Sequence, residues 1–184
     1  MNIPAVRSLF VALLIALSAT ISAPASAAGK ADLERTSKAA LNKLVGKVPA
    51  ARTLNGMAVA VLVFPSITKA GFVVGGQFGE GVLWRGGKAV GYYSSTGASY
   101  GLQAGAQKYG YAMFFMNEQA LNALNTGDGF EVGVGPSVVL VDEGMAKSVT
   151  TTTAQNDIYA FIFGQTGLMA GLGIQGNKIT RIEK

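Results

Sequence analysis

The chain has 184 residues, no cysteine, no histidine, 25 glycines and a formal charge of +5. Without Cys or His it has no disulfide, no thiol for N-terminal lipid attachment, no His-based catalytic triad and few ways to hold a transition metal. Its basic residues are scattered, which favours an anionic surface but not nucleic acid.

The N-terminus reads as a targeting segment. Arg7 precedes the apolar run Leu9 to Ile21, and Ala25-Ser26-Ala27 supplies a small-residue cleavage site. The run is too short for a helix spanning a bilayer, which needs roughly 20 residues. A cleaved signal peptide is therefore expected at 1–27, followed by a single domain at 28–184. Its removal takes out Arg7 alone among the charged residues, so the domain stays mildly basic. A cysteine-free exported chain of this kind fits a bacterial periplasmic or secreted protein, peripheral to a membrane of the cell envelope.

Residues 28 to 55 are the one clearly helical part. Leu33, Ala40, Leu41, Leu44, Val45 and Val48 gather on one face at helical period, so an amphipathic helix is expected from Asp32 to Val48. Asp32 suits a cap, and Pro49 is expected to stop the helix. Arg35, Lys38, Lys43 and Lys47 flank the stripe. Two readings stay open: the lysines meet phosphates while the stripe enters a bilayer, or the stripe packs on a sheet and the lysines face water.

From Met57 the grammar changes. Of the 25 glycines, 22 lie between Gly71 and Gly176, among short or alternating apolar runs. Expected strands are 57–64, 71–75, 81–85, 89–93, 97–107, 111–116, 129–134, 137–141, 159–163, 168–174 and 178–182. Gly86-Gly87 fits a two-residue hairpin turn, and Asn117 should open a short helix ending near 125–127. So many glycines in strands suggest bulges, sharp bends and close backbone approach. The expected fold is α+β, mostly β: a curled or barrel-like antiparallel sheet with an N-terminal amphipathic helix and a short second helix. The strands are too short for an outer-membrane barrel.

Chemistry-bearing motifs are sparse. Asp128 with Glu131, and Asp142 with Glu143, are close enough in sequence to be weighed as paired acids, but Asp142-Glu143 and Asp128 read as turn residues and Glu131 falls in the strand expected at 129–134. Gly171, Gly173 and Gly176 spell G-x-G-x-x-G, but a dinucleotide site needs a helix next, and 178–182 reads as a strand. Thr150 to Thr153 read as a solvent-facing polar run, and most tyrosines as structural. No catalytic, cofactor or metal residue is nominated, and no enzyme activity is expected. Lys69, Arg85 and Lys88 could add to an anionic-lipid surface. Trp84 and Phe72 fit interfacial or core positions equally well.

The run VAVLVFPSITKAGFVVGGQFGEG, residues 59–81, resembles the SYLF lipid-binding domain family. The resemblance continues through Tyr92-Tyr93-Ser94, GLQAGAQKYGYAMFFMNEQAL at 101–121, GFEVGVGPSVVLV at 129–141 and DIYAFIFGQTGLMAGLGIQGNKI at 157–179. It implies a non-enzymatic module that binds lipid or membrane, aided in some members by an N-terminal amphipathic helix. The membrane-binding candidates are then Arg35, Lys38, Lys43, Lys47, Lys69, Arg85 and Lys88. With the leader, the expected ligand is an anionic phospholipid or envelope lipid, and cytoplasmic actin is not expected as a partner. The alternative is a structural or protein-interaction module of the cell envelope, with an envelope protein as partner.

Overall fold

Helix α1 runs Lys30–Lys47 and α2 runs Pro49–Met57, joined by an extended Val48. Helix α1 thus ends before Pro49, as expected, and Pro49 also starts a second helix that was not expected as a separate element. At the first helical position its missing N–H costs nothing and its fixed φ suits the helix. Asp32 does not cap α1; Gly29 precedes the helix without a side-chain bond, and Asp32 lies in the first turn. The C-terminus of α1 is closed by a residue from the next helix. Arg52 donates from Nε to the Val45 carbonyl and from Nη2 to the Gly46 carbonyl, each at 3.1 Å.

The computed structural model describes residues 29–126, 129–141, 149–167, 174 and 176–184. The expected leader, Asp128, Asp142, Glu143, Gly171, Gly173 and most of the strand expected at 168–174 lie outside these residues, as does the side chain of Phe72.

Two long strands dominate, β1 at Ala60–Arg85 and β2 at Lys88–Phe115. They pair antiparallel along their whole length, with register irregularities at Phe64/Ile67, Gly71/Val73 and Leu83/Trp84. The sequence pattern divides the same stretch into six strands. Glycine and Pro65 bend these strands without ending them, because bulges let the ladder resume beyond each kink. The turn is the expected one: Gly86 and Gly87 have φ of 55° and 79°, the paired positive values of a tight hairpin.

The free edge of β2 is shared. Strand β5, Ile158–Gly167, pairs with Gln107 to Phe115, and β6, Lys178–Ile182, pairs with Tyr92 to Thr96. Strand β3, Phe130–Glu131, adds antiparallel to β6, while β4, Val138–Leu140, adds parallel to β5. The sheet is thus antiparallel except at that edge. Helix α3, Glu118–Ala123, begins at Asn117 as expected, whose Oδ1 accepts from the Ala120 N–H at 2.8 Å.

The curl can be read from two glycines. A Cβ on Gly81 would lie 2.7 Å from both the Val63 carbonyl oxygen and the Phe64 ring, and one on Gly79 2.5 Å from the Ser66 carbonyl oxygen. Strand β1 therefore folds back on its own first half, and only glycine permits that approach.

Alternation then sorts the side chains. Leu62, Phe64, Tyr111, Met113, Phe115, Ile158 and Ala160 fill the inside of the curl with α3. Val61, Val63, Ala112, Phe114, Tyr159 and Phe161 face outward and are covered by α1 and α2. Both faces of the central strands are buried, as period-two alternation allows when each face has a cover.

Candidate anionic-surface site

The site is built where α1 lies over the base of the β1–β2 hairpin. Leu33, Leu41 and Leu44 are buried against Val61, Val63, Val82 and Trp84. Packing on the sheet is thus the reading that holds for the apolar stripe. Ser37, on the same face, is fully buried. It accepts a hydrogen bond from Trp84 Nε1 at 2.9 Å and reaches the Val63 carbonyl at 3.4 Å. This bond fixes the plane of the indole. The hydroxyl of Tyr92 donates to the Glu34 carboxylate, tying the helix to β2 one turn earlier. That carboxylate, together with partial burial, pushes the Tyr92 hydroxyl up to about 12.

The cations fall into separate groups. Lys38 is half-buried, its ammonium 4.7 Å from the centre of the Trp84 ring, and Lys30 sits 5.4 Å from the centre of Tyr92. A cation over an aromatic face is drawn to the ring's negative quadrupole, most strongly at Trp. Lys43 and Lys47, one turn apart, are exposed on the opposite flank of α1. Arg35 is exposed and paired with Asp32 at 2.5 Å. Arg85 and Lys88 bracket the hairpin turn; Arg85 pairs with Glu118, and Lys88 is exposed. Lys69 is half-buried in β1 opposite Gln107, beyond the first bulge.

One cavity joins the helix to the turn. It has a volume of about 230 Å³, and its walls include Lys38, Asn42, Asn55, Trp84, Gly86 and Gly87. Of the seven cations expected to form a surface, Lys38 alone lines it, with Arg85 and Lys88 flanking its glycine wall. Sequence reasoning missed Asn42 and Asn55. Asn42 was accessible in principle, one turn after Lys38 on the same flank. Asn55 was not, because it arrives from α2.

The remaining candidate chemistry is structural. Thr150 to Thr153 form an exposed turn whose hydroxyls bond one another. Tyr93, Tyr109 and Tyr111 are buried. Gly176, with φ of 72°, leads into β6 and not into the helix that a dinucleotide site needs next. Among the described residues no group of three acids could hold a metal ion, and no helix is long and apolar enough to cross a membrane.

Residues 96–184 match the family model described as "Ysc84: Las17-binding protein actin regulator". The match supports a SYLF/Ysc84-type domain over that span. No curated protein matches the chain. A non-catalytic lipid- or actin-associated domain is the coarser reading that the family match supports. The matched span covers β5, β6 and most of β2; α1, α2 and β1 precede it.

The same match corrects two expectations. The exclusion of cytoplasmic actin does not stand, because the matched family is described as an actin regulator. The periplasmic or secreted location is overturned by the same finding, a match to a family described as a Las17-binding actin regulator. Both expectations rested on the leader-like segment at 1–27, which lies outside the described residues.

Proposed function

We propose that this domain binds anionic membrane surfaces without catalysis, through cations displayed by α1 and the β1–β2 turn. The observation that carries the reading is the division of labour on α1. Its apolar stripe is used up on the sheet, while Arg35, Lys43 and Lys47 are exposed and Lys38 is held at the edge beside the turn. Arg85 and Lys88 extend the basic surface, with Lys69 as a more distant contributor. Processing of residues 1–27, leaving 28–184 as the domain, belongs to the same reading.

The magnitude is modest. A Lys or Arg near an anionic leaflet contributes about 1 kcal/mol. Lys38, Lys43, Lys47 and Lys88 pair with no carboxylate among the described residues, so together they supply roughly 4 kcal/mol, or binding near 1 mM. Flotation with vesicles of 40% phosphatidylserine in phosphatidylcholine, against phosphatidylcholine alone, tests it. Association with the anionic vesicles only is expected, weakened by Lys43→Glu with Lys47→Glu. No flotation with either vesicle at low salt refutes direct binding.

The family description favours a second partner. Actin regulation fits a non-catalytic module that brings a partner to a membrane. Co-sedimentation with actin filaments checks it; protein that stays in the supernatant at saturating filament removes a direct contact.

A further inference from the structure

We propose that the cavity between α1, α2 and the β1–β2 turn is a binding site for a phosphate ester, with Lys38 as its cation. The inference rests on the membrane reading and gives that surface a specific pocket.

The wall chemistry selects an anion. Lys38, Asn42 and Asn55 supply donor groups, and no acidic residue is among the lining residues. The strand ladder ends at the Arg85–Lys88 pair, so the N–H groups of Gly86 and Gly87 lie outside it. Neither glycine has any neighbour within 4 Å of a would-be Cβ, so the turn is open on that side. Backbone N–H groups left free by a glycine turn, beside a fixed cation, are the usual means of holding phosphate oxygens.

Lys38 is prepared for this role. The Ser37 hydrogen bond fixes the Trp84 indole, and the indole face holds the ammonium. The long side chain is thereby partly ordered before any ligand arrives, which lowers the entropic cost of binding. Arg85 and Lys88 raise the local potential at the glycine wall without entering the cavity lining. Size restricts the ligand further. At about 230 Å³ the cavity is smaller than the ~300–1,000 Å³ of pockets that hold drug-sized molecules, so it suits a compact phosphate ester and not an acyl chain. The phosphate can come from a lipid headgroup or from a free phosphomonoester.

The chain has a single tryptophan, and it lines this cavity. Trp84 fluorescence of the full chain therefore reports on the site directly. Three probes are titrated at constant ionic strength: glycerol 3-phosphate, vesicles of 20% phosphatidic acid in phosphatidylcholine, and vesicles of 20% phosphatidylglycerol at matched surface charge. Lys38→Gln is compared with Lys43→Gln, the same charge change on the opposite flank. A saturable change with phosphatidic acid vesicles, weakened at least tenfold by Lys38→Gln and by no more than about fivefold by Lys43→Gln, the share of one surface charge, supports a headgroup site. The same pattern with glycerol 3-phosphate supports a free-ester site, even without vesicle binding. Vesicle binding that both variants weaken equally, with no Trp84 response to any probe, overturns the cavity while leaving the charged-surface reading intact. A Trp84 response that Lys38→Gln leaves unchanged overturns it too. No vesicle binding and no response to glycerol 3-phosphate overturns both.

Discussion

Replacing Gly81 by alanine tests the curl of β1. The added methyl would lie 2.7 Å from the Val63 carbonyl oxygen and 2.7 Å from the Phe64 ring. Neither neighbour can step aside cheaply: Val63 and Phe64 are fully buried, and the carbonyl is backbone. Forcing one extra carbon into such a contact costs about 1–3 kcal/mol. For a domain of this size, 1 kcal/mol shifts Tm by about 2–4 °C, so the expected loss is on the order of 3–10 °C. Gly46→Ala is the control, because its Cβ meets nothing within 4 Å in α1 and alanine favours helix. There the gain is up to about 1 kcal/mol. Thermal unfolding followed by far-ultraviolet circular dichroism measures both. If Gly81→Ala melts at or above the parent temperature, the two halves of β1 do not approach each other as described.

Two further perturbations probe the interior and the base of α3. Tyr111 donates from its hydroxyl to Ser95 Oγ at 2.6 Å, and both residues are buried. Tyr111→Phe leaves that serine unpaired and costs about 1–3 kcal/mol in chemical denaturation, whereas adding Ser95→Ala recovers part of the loss. Asp157 accepts from the Ser137 N–H and hydroxyl and from Asn117, and these bonds hold its carboxyl below the ordinary range. A depressed folded pKa contributes stability that is present above the unfolded value, about 3.9, and lost as pH falls through the folded value. Asp157→Asn should flatten the stability profile below pH ~4 and leave its shape at pH 6–8 unchanged; an unaltered acid limb counts against this role.

What the sequence made legible was local. The Gly86-Gly87 turn, the Asn117 cap and strand β6 each depend on residues within a few positions, and each appears where the pattern puts it. The apolar stripe of α1 was equally readable, because helical period alone defines it. The length of β1 and β2 was not. Glycine and proline ordinarily end strands, and nothing local says that Gly79 and Gly81 are needed by Val63 and Ser66 across a fold-back. Pro49 misleads for a similar reason: the residue that stops one helix is also suited to begin the next. The candidate site divides the same way. The wheel already separates Lys38 from Lys43 and Lys47, but only the fold brings Trp84 under Lys38 and Asn55 beside it.

The seating of α1 bears on how a membrane contact can work. Three buried leucines, at about 1.5–3 kcal/mol each, hold it down with roughly 5–9 kcal/mol of apolar burial. A bilayer could return that amount to the helix, but not to the surface left behind. Val61, Val63 and Val82 would face water, and the Trp84–Ser37 hydrogen bond would be lost. Insertion of α1 is therefore a net loss unless the sheet enters too, and the packed helix meets lipid with charge alone. Charge at an exposed surface is screened over about 10 Å at 0.1 M salt and about 3 Å at 1 M. Binding driven by Lys38, Lys43, Lys47 and Lys88 should then disappear at high salt. Binding that survives it would mean that α1 leaves the sheet, and that the apolar stripe, not the basic flank, is what the membrane receives.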